Sequence, residues 1–157
     1  MSITSSELPG FMAGWAGRNF VYTMIKAMST HDSVKVVNDQ KGTPTFAGDL
    51  AAVILNIINK DNVPYGTYHC TDLGEITWWD FTNEIKKQGL ELGLVTNKDC
   101  LVNPCSTEEY PTPAKRPADS VLSKDKIQKT LGIKLPEWEE SVKKFLRSEL
   151  FDAERIK

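Results

Sequence analysis

The sequence is poor in the residues that carry most metal and redox chemistry, with two histidines and three cysteines among 157 residues. Cys70, Cys100 and Cys105 form no Cys-x-x-Cys pair, so neither a zinc site nor a disulfide framework is indicated. An excess of charge is also missing. Nineteen Lys+Arg against 21 Asp+Glu leave a net −2, which offers no global electrostatic case for nucleic acid or an anionic membrane. Apolar runs are short: Ala51-Ala-Val-Ile-Leu55 falls far below the ~20 residues that span a bilayer. The first residues, Met1-Ser-Ile-Thr-Ser-Ser-Glu7, have neither the basic nor the apolar region of a secretory signal. What is present is 40% hydrophobic and 25% charged, an ordinary globular composition. A chain of this length buries enough surface to need no covalent staple. These features together predict one soluble, cytoplasmic domain.

Periodicity then places the elements. Arg18 to Met28 reads as a helix with Asn19 as its cap and an apolar arc from Phe20, Val21, Met24, Ile25, Ala27 and Met28. Val34–Val37 reads as a strand entering the turn-rich loop Asn38–Pro44. Asp49 is expected to cap the next helix, whose Leu50, Val53, Ile54, Ile57 and Ile58 share one face. Gly66–Thr71 reads as a strand. Thr77 with Asp80 three residues on is a variant capping box, followed by Trp78, Phe81 and Ile85 on one face. One of the adjacent Trp78 and Trp79 is then expected to face away from the core. Val95–Tyr110 looks irregular, with Leu101-Val102 a candidate strand. Ser123 is expected to cap a short helix ended by Gly132, and Pro136 to sit in the first turn of a last helix lined by Trp138, Val142, Phe145 and Leu146. About five helices and two or three short strands make a helix-rich α/β unit with too few strands for a complete doubly wound sheet.

Two motifs imitate a complete nicotinamide-dependent enzyme. Gly10-Phe-Met-Ala-Gly-Trp-Ala-Gly17 has glycines leading into a helix, but Thr4–Pro9 before it ends in proline and makes a poor central strand, so it reads as an entry loop. Tyr22-Thr-Met-Ile-Lys26 has a Tyr-x-x-x-Lys spacing that could lower a tyrosine pKa for proton donation. The apolar arc of its helix lies on the other side, which predicts a solvated pair. His69 beside Cys70 reads as a structural histidine, because no third group orients a Cys-His pair. Glu137, Glu139 and Glu140 read as the solvent side and electropositive first turn of the last helix.

Several segments, in order and spacing, resemble the carboxy-terminal half of the dTDP-4-dehydrorhamnose reductase family of extended short-chain dehydrogenases. They are Asn19-Phe-Val-Tyr-Thr-Met24, Val36-Val-Asn-Asp-Gln-Lys-Gly-Thr-Pro-Thr45 with Asp49-Leu-Ala51, and Gly66-Thr-Tyr-His69 with Thr77-Trp78 and Phe81. Tyr110-Pro-Thr-Pro-Ala-Lys-Arg-Pro117, Ser120-Val-Leu122 and Gly132-Ile-Lys-Leu-Pro-Glu-Trp138 follow. The most specific combination is Asp-Gln-x-Gly-x-Pro-Thr with Pro-Thr-Pro-Ala-x-Arg-Pro.

The resemblance implies an α/β fold: the helix-rich, carboxy-terminal substrate-binding portion of a Rossmann-type enzyme. In the family, a preceding Rossmann half carries the glycine fingerprint and the catalytic Tyr-x-x-x-Lys. NADPH or NADH reduces the C4 ketone of dTDP-4-dehydro-L-rhamnose to give dTDP-L-rhamnose for surface polysaccharide. This chain has no room for that half, so it is expected neither to hold the cofactor alone nor to turn over substrate, and it carries no catalytic residue of its own. Expected partners are a dTDP-sugar, the Rossmann half and, as in some relatives, a second copy; magnesium serves some members, but no carboxylate cluster marks a site for it here. Residues 1–10 fit the pattern poorly, 11–150 form the nucleotide-sugar domain and 151–157 a tail. Two other readings are a non-catalytic subunit like the regulatory β subunit of methionine adenosyltransferase, and a related nucleotide-sugar epimerase or reductase.

A dTDP-sugar presents a diphosphate, a thymine and a deoxysugar, and asks for fixed cations, an apolar slot and hydroxyls or amides. Arg116 is the first candidate, because a guanidinium matches phosphate oxygens bidentately and Pro113 and Pro117 stiffen its loop. Lys115 is the second. Residues 111–134 carry a local +4. Asp39 and Gln40 follow the carboxyl end of a strand, Gly42 permits close backbone approach and Thr45 adds a hydroxyl. Asn19 is a further candidate, though capping its own helix is the stronger reading. Phe11 joins the set because, counting back from Asn19-Phe20, it occupies the place of a tryptophan that family members carry near the sugar, while Trp15 stands elsewhere.

Overall fold

Local capping chemistry sets most boundaries in the computed structural model, which describes residues 11–12, 19–111, 116–149, 151 and 153. In chain order the elements are β1 (Phe11–Met12), α1 (Phe20–Thr30), β2 (Ser33–Val37), β3 (Lys41–Gly42), β4 (Thr45–Phe46) and α2 (Ala47–Asn59). After them come β5 (Ile76–Thr77), α3 (Trp78–Glu91), β6 (Leu101–Cys105), α4 (Asp125–Leu131) and α5 (Trp138–Arg147). Asn19 caps α1, its Oδ1 accepting from the Tyr22 amide at 3.1 Å. The full capping box opens α3: Thr77 Oγ1 accepts from the Asp80 amide and Asp80 Oδ2 from the Thr77 amide. Gly132 ends α4 at φ 68°, a left-handed position that glycine adopts without steric cost.

Other boundaries shift. α2 begins one residue after Phe46, so Asp49 lies inside its first turn and not at the cap. Lys124, not Ser123, is the residue before α4, although Ser123 Oγ still accepts from the Asp125 amide at 3.4 Å. Glu137 precedes α5 and Pro136 stands outside it. The expected strand at Gly66–Thr71 is irregular, because no other described strand pairs with it.

The strands form three two-stranded sheets: β1–β4 parallel, β2–β6 parallel and β3–β5 antiparallel. Six short strands among the described residues exceed the two or three expected, because two-residue strands are too short to show an alternating pattern. β2 and β6 pair from Ser33↔Leu101 to Val37↔Cys105, with Pro104 tolerated in a strand that has a free edge. β3 gains a second neighbour on its other side: the Lys41 amide donates to the Ala118 carbonyl, and the Ser120 amide donates to the Lys41 carbonyl.

The main core joins α1, α3 and α5. Phe81, Ile85, Val142, Phe145, Ile25 and Met28 are all at most 1% exposed. Phe20 stacks on Phe81 and tilts onto Trp78, and Phe81 meets Trp138 edge-on. Tyr22 belongs to this core, correcting the expected solvated pair. It is 4% exposed, stacks on Phe151 and meets Phe145 edge-on, while Lys26 stays exposed. α1 is therefore covered on two sides, by α3 and by the segment around α5 and Phe151. Of the two adjacent tryptophans, Trp78 packs on the core and Trp79 turns away from it, as expected; half-buried, Trp79 donates from Nε1 to the Val102 carbonyl at 2.9 Å and ties α3 to β6. A smaller cluster of Val53, Tyr68, Ile127, Leu131 and Leu135 holds α2 to α4.

Candidate functional site

The loop after β2 is fixed by side chains. Asp39 Oδ1 and Oδ2 accept from the Thr107 hydroxyl at 2.6 Å and the Thr107 amide at 2.8 Å. Those bonds hold the Asp39 carboxyl below its ordinary range. Gln40, 8% exposed, donates from Nε2 to Thr107 Oγ1 at 3.0 Å. These two predicted site residues thus meet each other through Thr107 and clamp the ends of β2 and β6 together. Gly42 faces Ser120, whose Oγ would lie 2.9 Å from an added Cβ, so the close approach at this glycine is to the 118–120 segment.

Arg116 is exposed, two residues before Ala118, and the pairing of Ala118 and Ser120 with Lys41 brings its loop alongside β3. Thr45 is 1% exposed and its hydroxyl has no hydrogen-bond partner, a costly state for a buried polar group. Phe11 pairs through its backbone with Thr45 in the parallel β1–β4 register. Asn19 spends its Oδ1 on the α1 cap. Lys115, Trp15, the Phe11 side chain and the glycines at 10, 14 and 17 lie outside the described residues.

His69 is exposed, which corrects the expectation of a structural histidine. Beside it, burial and the nearby Asp72 push the Cys70 thiol up to about 11, leaving it protonated and a poor nucleophile. Glu137, Glu139 and Glu140 lie exposed at the start of α5, as their placement predicted.

No local pattern in the sequence points to the polar cluster at the junction of β4, α2 and α5. Asp72, 2% exposed, accepts from the Phe46 amide at 3.1 Å. Fully buried Ser141 donates to Asp49 Oδ2 at 2.7 Å, and Lys144 pairs with Asp49 Oδ1 at 3.0 Å. Burial raises the Asp72 carboxyl to about 7, opposed by its bonds to Phe46 and Ser141 and reinforced by Asp49. The residues involved stand 26 and 92 positions apart, so no local pattern announces them. A cleft of about 480 Å³ runs beside the cluster between α2 and the 133–137 segment, and none of the predicted site residues lines it.

The free amides at a helix amino terminus make a ready site for a pyrophosphate. Among the described helices, Asn19 occupies that of α1, Asp72 faces that of α2, and the Thr77–Asp80 box closes that of α3. α5 opens with Glu139 and Glu140, which repel an anion, and α4 is only seven residues long. None of these termini therefore offers free amides to a dinucleotide pyrophosphate. They also hold no group of three His, Cys, Asp or Glu that could bind a metal ion, and no helix long and apolar enough to cross a membrane.

Comparison with known proteins decides what kind of unit this is. The RmlD substrate binding domain family matches residues 10–151. The chain belongs to that family. It is 40% identical over 134 residues to the dTDP-4-dehydrorhamnose reductase of Aggregatibacter actinomycetemcomitans, an alignment covering 83% of this chain and 45% of the relative. The crystal structure of a dTDP-4-dehydrorhamnose reductase from Clostridium acetobutylicum superposes with a TM-score of 0.72 at 47% identity, over 83% of this chain and 44% of that one. The Bacillus anthracis enzyme, solved in complex with NADP, has the same TM-score at 33% identity, over 83% and 43%. The chain thus spans about half the length of the relatives it matches. The helix-rich α/β architecture with few strands is that of the substrate-binding part of these reductases.

Proposed function

We propose that residues 11–150 are the substrate-binding portion of an NADPH-dependent dTDP-4-dehydrorhamnose reductase. They hold the dTDP-sugar, while the nicotinamide and the proton donor reside on polypeptide outside this chain. The observation that carries the reading is the family match over residues 10–151, joined to coverage of less than half of the reductases of Aggregatibacter and Clostridium. The helix termini described above, each filled or acidic, agree with a cofactor held elsewhere.

In this reading each group has a distinct task. The exposed Arg116 guanidinium takes the diphosphate oxygens through paired N–H donors, and Lys115 adds a second cation. Asp39 and Gln40 act at one remove: their bonds to Thr107 hold the β2–β6 end against which the loop is set. Thr45, 1% exposed, is buried away from the ligand surface and drops out of the contact set. None of these groups abstracts a proton or accepts hydride, so the isolated chain binds without turnover.

Titration of dTDP-rhamnose, UDP-glucose and GDP-mannose into the chain tests the proposal. The thymidine nucleotide is expected to bind best, and Arg116→Ala to weaken it about tenfold to a hundredfold through loss of charge-assisted bonds. Equal weak binding of all three sugars, unchanged in Arg116→Ala, would remove the proposed site.

A further inference from the structure

α2 carries one charge, Asp49, in thirteen residues, and is apolar around most of its circumference. Such helices are buried on all sides in folded proteins. Here only one side is covered: Leu50 and Val53 point into the protein. On the opposite side Ala51, Leu55 and Ile58 fall within about 60° of one another at 100° per residue. Leu55 is 58% exposed, Ile58 is 70% exposed and Ala51 is exposed as well. They form a continuous ridge in water.

The element feeding this helix is also incomplete. α2 follows β4 directly, and β4 pairs only with β1 among the described strands, in parallel. Parallel strands occur almost exclusively in sheets whose two faces are both covered. The one buried hydroxyl on β4, that of Thr45, lacks a partner.

We infer that the Ala51–Leu55–Ile58 ridge of α2, with the adjoining unpaired edge of the β1–β4 strands, is the surface on which the remaining part of the full-length protein docks. This rests on the reading of the chain as one portion of a reductase, and it names where the other portion sits. More than half of the Bacillus anthracis enzyme lies outside the match, so a large folded mass is there to cover the ridge. The ridge calls for an apolar partner surface, since no cation or anion follows Asp49 in α2. A second copy fits less well: a pair of symmetry-related α2 helices buries the ridge and gives the two-stranded β1–β4 pair no third strand. A membrane surface fits less well again, because α2 has no Lys or Arg to meet lipid headgroups.

Sedimentation velocity of the whole 157-residue chain, alone and mixed with the unmatched portion of the Bacillus anthracis enzyme made as a separate polypeptide, tests the inference. Wild type is expected to form a 1:1 complex. The double variant Leu55→Glu/Ile58→Glu is expected to bind about a hundredfold more weakly. Its circular dichroism and urea midpoint should match wild type, since both side chains already stand in water. Equal binding by the double variant overturns the inference, and so does the absence of any wild-type complex. A wild-type homodimer that the double variant loses, and that the added portion does not displace, assigns the ridge to a second copy and overturns it too. Sugar binding is not read here, so failure of the Arg116 titration and failure of this docking are separate results.

Discussion

α2 and α5 lie against each other, joined by Ser141–Asp49 and Lys144–Asp49, yet they meet water in opposite ways. α5 turns Trp138, Ser141, Val142, Phe145 and Leu146 inward and Glu139, Glu140, Lys143, Lys144 and Arg147 outward. α2 has nearly as many apolar residues outside as inside. A helix with a polar side states which side is inside. A helix without one states only that it wants covering, and leaves open by what.

The first way to press this contrast is a pair of truncations. Phe145→Ala removes a fully buried ring that touches Tyr22, Phe46 and Phe151, and is expected to cost about 3–5 kcal/mol in urea unfolding. Leu55→Ala on α2 should stay within about 0.5 kcal/mol. A cost at Leu55 approaching that at Phe145 would mean that the α2 ridge is already packed in the isolated chain.

Next in size is the pH response of the junction between the two helices. The Asp72 carboxyl is raised to about 7 in the folded chain from an ordinary value of 3.8. Between those limits the folded chain keeps a proton that the unfolded chain has released. Stability from this group is therefore full below about pH 4 and falls as pH rises to about 7. The loss is on the order of 3–4 kcal/mol. Asp72→Asn keeps an acceptor for the Phe46 amide and should flatten the decline, as urea midpoints at pH 5 and pH 8 would show. An unchanged slope would place the titrating group elsewhere.

The least costly change lies in α3, a helix whose start is readable in the sequence. Thr77→Ala breaks the α3 capping box and should cost about 1 kcal/mol, measured by thermal unfolding. A negligible change would mean that Asp80 alone sustains the first turn.

These outcomes follow the line between what the sequence could and could not show. The Asn19 cap, the Thr77–Asp80 box, the Gly132 terminator and the inner face of α5 were legible because each is written within a few residues of itself. Sequence alone misplaces Tyr22 because its cover, Phe151, lies at the far end of the chain. Asp49 looks like a cap because short polar residues before an apolar run usually are; its partners Ser141 and Lys144 belong to another helix. The candidate site was legible as a set of residue types, with Arg116, Asp39, Gln40 and Thr45 all drawn from the family-like segments. Their bonding was not legible, since Thr107 and the 118–120 segment reach Asp39, Gln40 and Lys41 from more than sixty residues away.

The double pairing of Lys41 has a consequence of its own. Its amide is locked to Ala118 and its carbonyl to Ser120, two and four residues past Arg116. Any ligand that steadies the proline-rich loop must slow deuterium uptake at the Lys41 amide, while one that binds beside α2 leaves it untouched. One backbone proton thus serves as a built-in gauge of occupancy, readable without a coloured substrate or an active enzyme.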